Sequence, residues 1–415
     1  MRERVLRILA VVAVLTAYVF YGSEGSWRFP LGPWGQSYYA NLAEGFLAGR
    51  LSMKSAPDPA LVQLSNPYDF RARGNIPVLW DASLFEGRYY LYFSPVPVVL
   101  FYAPVRVITG AYPNDALAAT VFASIGFLFL AAIVRRPLWI LLAGVGNVVP
   151  FVITDVLFYQ VAAACGFALT AAWAYAVVRF RAGPTVRWAL AMGVFLSLAI
   201  ATRPNLLVLV LVQAWIVFRD RRVWPAVLAP LALVACGILG YNYARFGDAT
   251  EFGVSYQMGR LPMQGRTICG VCGPGELPRL VNHVVHYVAW PPVFLQKFPY
   301  AFVQHHRLDP AVTYPGGGEP IAGVAPITPL AIIGSFLALL AARRSTGSIL
   351  VLGGWLVLFA LSSCWWVTAR YTLDFVGLVL AGALLCIDDA QPRWLTWPLA
   401  LYSIALGLLL PFQRF

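Results

Sequence analysis

Uncharged stretches long enough to cross a bilayer, about 20 residues each, recur along the chain and narrow its folding options more than any other feature. A transmembrane barrel would instead give shorter segments of alternating polarity. Of the 415 residues, 60% are hydrophobic and 12% charged, against roughly 45–50% and about 25% in soluble domains. That excludes a single soluble domain, a disordered chain and a disulfide-rich secreted scaffold. It predicts an all-α polytopic membrane protein. The 30 prolines and 14 tryptophans fit that class, because kinks and interfacial aromatic rings are common in membrane helices.

The net charge of +12 would suggest nucleic acid in a soluble chain, but a membrane protein distributes its arginines by side. Arg2, Arg4 and Arg7 precede the first apolar run and predict a cytoplasmic N-terminus. The run 8–23 also resembles a signal peptide's apolar region, yet no small-x-small cleavage site follows, so an uncleaved anchor is expected. The stretch 89–110 is apolar enough to span but carries Pro95, Pro97, Pro104 and Arg106. Read as a re-entrant or interfacial helix, it leaves Arg135, Arg136, Arg179, Arg181, Arg187, Arg219, Arg221, Arg222, Arg343, Arg344 and Arg393 all on the inner side. About eleven spans follow, at roughly 5–22, 115–134, 137–154, 156–178, 187–202, 204–218, 223–244, 321–342, 347–366, 371–387 and 394–412. They form a single membrane domain over 1–415 with two large extracytoplasmic loops, 23–114 and 245–320. The membrane accounts for the positive charge, and no nucleic-acid partner is needed.

The first loop reads GQSYYANLAEGFLAGRLSM (35–53), NPYD (66–69) and DASLFEGRYYLYFSPVPVVLFYAPV (81–105). With ATRPN (201–205), YNYARFGDATEFGVSYQ (241–257) and ARYTLDF (369–375), it resembles the GT-C class of integral-membrane glycosyltransferases, especially bacterial relatives of the protein mannosyltransferase and lipid-A aminoarabinose transferase families. In those families an acidic pair follows the first span. A Tyr-rich helix, a Gly-Arg-type turn and a proline-rich helix at the membrane surface come next. The resemblance implies a multi-pass protein of the bacterial cytoplasmic membrane. It would transfer a sugar, with inversion, from a polyprenyl-phosphate donor to a glycan, lipid or protein acceptor on the outer face, among membrane lipids. No cofactor is implied beyond an optional divalent metal, and no metal ligands are assigned. One departure matters: Gln36 and Ser37 stand where the acidic pair would be. Glu24, Glu44, Asp69, Asp81 and Glu86 are the loop's substitutes.

Such a transfer needs a carboxylate to take the acceptor's proton and cations to stabilise the departing phosphate. Asp81 and Glu44 are the candidate bases, with a helix-capping and a solvated role as their bland alternatives. Arg203 is the first candidate cation. Each arm of the hairpin 188–218 reaches about 22 Å at 1.5 Å per residue, against a hydrocarbon core of about 30 Å. Arg203 therefore sits low, beside a helix started by Pro204, or else snorkels to headgroups. Arg370 interrupts another apolar run, after Trp365 and Trp366, and either contacts lipid phosphate or pairs with Asp374 at i, i+4. Tyr38, Tyr39, Arg88 and Asn205 enter as substrate-binding candidates with the motifs that carry the resemblance. Arg245 and Glu251 are ligands or loop-ordering residues.

Cys165, Cys236, Cys364 and Cys386 lie in or near spans and read as small buried residues. Cys269 and Cys272, followed by His283 and His286, leave open a disulfide, a metal site or free thiols. His305 and His306 read as a polar loop feature. Two other functions stay open: a transporter or lipid flippase, and a non-catalytic membrane binding or assembly protein.

Overall fold

An apolar segment in lipid must satisfy its own backbone hydrogen bonds, and a helix does so within one stretch of chain. The computed structural model describes residues 1–260, 277–304, 320–340, 345–364, 367–387 and 393–415. Helices dominate it, and the only sheets among the described residues are three two-stranded antiparallel pairings. Among the described residues, six helices are long and apolar enough to cross a membrane: Arg2–Gly22, Asp115–Ile133, Phe158–Ala182, Arg221–Phe246, Ala369–Ile387 and Arg393–Arg414. They fall on six of the expected spans.

The other five expected spans contain apolar helices of 10–17 residues, in the stretches Pro137–Val152, Val186–Thr202, Pro204–Val217, Pro329–Leu340 and Thr346–Ser362. Proline accounts for several of the breaks, since it lacks an N–H and restricts the residue before it. The stretch 89–110 behaves likewise. It starts in a strand, Arg88–Tyr90, and its helix, Val98–Thr109, is only about 18 Å long at 1.5 Å per residue.

The chain divides into two compact units. One comprises Met1–Arg28, Ala119–Leu231 and Ile268–Phe415, the other Phe29–Ala118 and Ala232–Thr267. In the first, Thr346–Ser362 packs along Ala369–Ile387 through small residues. A Cβ on Gly347 would stand 2.7 Å from the Gly382 carbonyl oxygen, and one on Gly382 would stand 2.5 Å from that of Gly347. Backbones approach this closely only where side chains are absent.

The second unit is built from the two loops. Leu31–Gly32 pairs with Tyr112–Pro113, so the ends of the first loop meet. Ser83–Phe85 and Arg88–Tyr90 form a hairpin whose two turn residues, Glu86 and Gly87, have φ of 47° and 69°, as a tight primed turn requires. The second loop joins this hairpin through a Ser83–Gln257 bridge, with the Met258 N–H donating to the Ala82 carbonyl. Phe85, Tyr90, Phe246 and Tyr256 close an aromatic cluster, with ring centroids of the Phe85–Tyr256 pair 4.6 Å apart.

In the first unit the Leu277–Ala289 helix buries His283 and His286. The His283 Nδ1 lies 2.9 Å from the Ser362 carbonyl oxygen and so donates to it. Burial pushes both imidazoles below the ordinary value of 6.5, and their mutual charge and Arg279 push His283 the same way. The folded state therefore holds both rings neutral, while the unfolded chain begins to take up protons as pH falls through 6.5. This contribution to stability is complete above 6.5 and is lost as pH falls towards the lower folded-state values. Thermal unfolding in detergent should show the midpoint falling between about pH 7 and about pH 5, and falling less in His283→Gln. An identical pH profile for the wild type and the variant would refute this account.

Candidate functional site

Pro204 sets the local geometry at Arg203. A residue preceding proline is driven out of the helical region, and Arg203 accordingly ends the Val186–Thr202 helix at φ −138°, ψ 95°. Pro204 then opens a tight turn, Pro204–Val208, that leads into Leu209–Val217. This exit turns the Arg203 side chain inward, where it is 7% exposed.

The partner that receives it is Asp374, in the second turn of Ala369–Ile387 and fully buried. Arg203 Nη2 donates to Asp374 Oδ2 at 2.8 Å and Nε donates to the same carboxylate at 3.1 and 3.2 Å. Asn205 Nδ2 adds a donor to Oδ2 at 3.0 Å. The Arg203 guanidinium also lies over the Tyr371 ring, 4.7 Å from its centroid. Gly166, on Phe158–Ala182, makes room for the stem, since a Cβ there would stand 2.7 Å from Arg203 Cγ. The i, i+4 alternative for Asp374 gives way to this long-range pair. Arg370 instead stacks its guanidinium over Tyr159 at 4.7 Å and Tyr371 at 5.3 Å.

Arg203 and Asn205 line an open groove of about 720 Å³ whose other walls are mainly aliphatic side chains, among them Leu207, Leu211 and Leu361. Tyr371, Ser363 and Cys364 also line it. A groove of this size, apolar along its length with a few polar groups, is the usual form of a site for an amphipathic small molecule.

In the loop unit the acids fall into three settings. Glu44 accepts from the Tyr112 hydroxyl at 2.5 Å and lies 3.8 Å from Lys54 Nζ and 3.9 Å from Arg106 Nε. Burial, with Glu44 accepting its proton, pushes Tyr112 up to about 12, so the phenol stays a donor. Glu44 thus fastens the Tyr38–Leu47 helix to Val98–Thr109. Asp81 sits at φ 60°, a strained conformation for a residue with a Cβ. Gln257 Nε2 donates to its Oδ1 at 3.0 Å. The Tyr38 hydroxyl donates to the neighbouring Trp80 carbonyl, and burial and the charge of Asp81 push Tyr38 up to about 12. Tyr38, Asp81 and Gln257 therefore come together.

The third acid, Asp115, is absent from the sequence-based candidates. Its Oδ1 accepts from the Ser37 and Tyr102 hydroxyls, each at 2.5 Å. Ser37 in turn caps the Tyr38–Leu47 helix, accepting from the Tyr39 and Ala40 N–H groups. A carboxylate thus stands against Ser37, delivered from 78 residues downstream. The signal was an acid at the head of an apolar span, which is a functional candidate by default. The same signal applied to Asp374.

Most of the remaining candidates have structural partners. Tyr39 is fully buried and stacked on Tyr102 at 5.5 Å, so it belongs to the loop's core. Arg245 donates to the Leu91 carbonyl and to Asn242 Oδ1, with its guanidinium 3.9 Å from the Tyr241 centroid. Glu251 accepts from the Gly253 N–H. Both order the loop, and Arg88 is exposed beside the hairpin turn. Of the substitute acids, Asp69 caps a short helix, Glu86 forms the hairpin turn and Glu24 follows the first helix.

Cys269, Cys272, His305, His306, Arg343, Arg344, Trp365 and Trp366 lie outside the described residues. Among the described residues no three His, Cys, Asp or Glu side chains gather as metal ligands. Cys165 is buried as expected, Cys364 and Cys386 are half-buried, and Cys236 is exposed on the outside of its helix.

The fold is that of a helical membrane protein with a buried ion pair beside an apolar groove. No protein-family model and no curated protein matches the chain.

Removing one member of a buried pair leaves an uncompensated charge, at a cost of about 3–5 kcal/mol, whereas replacing both by apolar residues is often neutral. Denaturant titration in mixed micelles should find Asp374→Ala destabilised by about that amount and Arg203→Met/Asp374→Leu restored to near wild-type stability. A fully stable Asp374→Ala protein would mean the pair carries no such weight.

Proposed function

We propose that the chain is an integral-membrane glycosyltransferase of GT-C-like fold, with eleven spans, a cytoplasmic N-terminus and its acceptor on the extracytoplasmic face of a bacterial inner membrane. Its donor is a polyprenyl-phosphate sugar. The observation that carries this reading is the largely apolar groove whose lining includes Arg203 and Asn205. Its aliphatic wall fits a prenyl chain, and its polar lining residues fit a phosphate.

Arginine suits the phosphate because its planar fork gives charge-assisted hydrogen bonds and remains protonated when buried. Asp374 holds Nε and Nη2, fixing the guanidinium plane before the donor arrives. Asn205, tied to the same carboxylate, supplies an amide donor. In the reaction the acceptor oxygen attacks the anomeric carbon and the bond from that carbon to the phosphate oxygen breaks. The phosphate leaves with the electron pair, and a carboxylate takes the acceptor's proton. Asp81, Glu44 and Asp115 are the bases under test. Asp115 is supported by its contact with Ser37, Asp81 by its strained backbone beside Tyr38.

A second reading has its own support. The acids expected at 36 and 37 are replaced, and two hydroxyls already occupy an oxygen of Asp115. A protein that binds polyprenyl phosphates without transferring their sugar would have this composition.

Purified protein in nanodiscs, given radiolabelled polyprenyl-phosphate sugars and envelope acceptors, should transfer label. Arg203→Ala should abolish transfer at saturating donor, because it removes stabilisation of the leaving charge. Arg203→Lys should recover only part, and Leu207→Trp should weaken donor binding. Of Asp81→Asn, Glu44→Gln and Asp115→Asn, the one that abolishes transfer in a folded protein identifies the base. Saturable donor binding with no transfer would establish the binding protein instead, and no binding at all would refute both readings.

A further inference from the structure

The Leu277–Ala289 helix inverts the usual amphipathic arrangement. Leu277, Val281 and Val285 recur at i, i+4 and i+8 and are 61%, 51% and 47% exposed. Ala289, one further turn along, is exposed as well. The opposite face, which carries His283, His286 and Tyr287, is the buried one. A helix bordering water turns its polar face outward, so water is not the medium that this stripe meets.

Its inward contacts locate it within the membrane unit. His283 donates to the carbonyl of Ser362, the last residue of the apolar helix Thr346–Ser362, and the Tyr287 ring meets that of Phe375 edge-on at 5.8 Å. The polar face is thus seated at the end of a membrane helix. One turn before Ser362 the exposed ring of Phe359 belongs to that helix's own outward apolar surface. The stripe is aliphatic, has no charge within it, and belongs to a helix whose other face packs on a membrane helix with an exposed apolar surface of its own. At about 20 Å for its length and with two imidazoles inside, the helix is too short and too polar on one side to span.

We infer that Leu277–Ala289 is a lipid-docking helix that lies in the plane of the membrane interface, with Leu277, Val281 and Val285 in the upper acyl region of the bilayer. It anchors the chain that follows the second loop's central segment and does so independently of any transferase activity.

The test uses the full chain in nanodiscs of phosphatidylethanolamine and phosphatidylglycerol. A photo-crosslinking residue is placed at position 281 or 285 of the otherwise native chain, and at the exposed hairpin position 86 as the control. Lipid adducts should form at 281 and 285 at several times the yield at 86. In a second measurement, an environment-sensitive fluorophore on Val281→Cys or Val285→Cys, with the six native cysteines replaced by serine, should be quenched more by spin labels near the headgroup than by labels at the bilayer centre. Adducts to a second copy of the chain in place of lipid would overturn the proposal in favour of a dimer contact. Yields equal to those at position 86 would overturn it in favour of a water-exposed helix. Stronger quenching from the bilayer centre would refute the interfacial placement.

Discussion

The buried pair of Arg203 and Asp374 constrains the membrane unit more than any other interaction described here. A charged guanidinium in a low-dielectric interior persists only if a carboxylate meets it with good geometry. The fold supplies that geometry from three separate places. Pro204 forces the backbone turn that swings Arg203 inward, Gly166 leaves the space for its stem, and Ala369–Ile387 brings Asp374 to the guanidinium. Each of the three helices is thereby held to a particular rotation about its own axis, which apolar packing alone would leave loosely specified.

The same arrangement gives the groove its chemical character. A strip of aliphatic surface is common on a membrane protein, and by itself it says only that lipid is near. Here the lining includes Arg203 and Asn205, both oriented by a shared carboxylate. Under the proposed function, preorganised donors beside an aliphatic wall suit a ligand with an anionic head and a long hydrocarbon tail. The proposed donor has that construction.

The helical membrane class was legible from composition and from the spacing of uncharged runs, because lipid imposes a length and a backbone rule that few sequences meet by accident. Helix ends were less legible. Apolar length does not reveal where Pro150 or Pro204 divides a run into shorter pieces. Site residues were legible by type and not by partner. An acid in an apolar stretch announces itself, but local spacing pointed Asp374 at Arg370, four residues away, while the fold pairs it with an arginine 171 residues distant. Asp115 is hard to read for the same reason, since nothing near it in the chain names Ser37 as its neighbour. Arg245 and Tyr39 show the reverse, conspicuous residues whose work is to hold the loop together.

The pairing of Leu31–Gly32 with Tyr112–Pro113 shapes how the first loop can change over evolutionary time. With its mouth closed by a ladder, the closure entropy of the enclosed chain grows only as the logarithm of its length. Residues can therefore be gained or lost at outlying points such as the Glu86–Gly87 turn at little energetic cost. The mouth has no such freedom, because a slip of one residue there reverses the face that every paired side chain presents. The loop is therefore free to drift in size at its periphery while its point of attachment stays fixed in register.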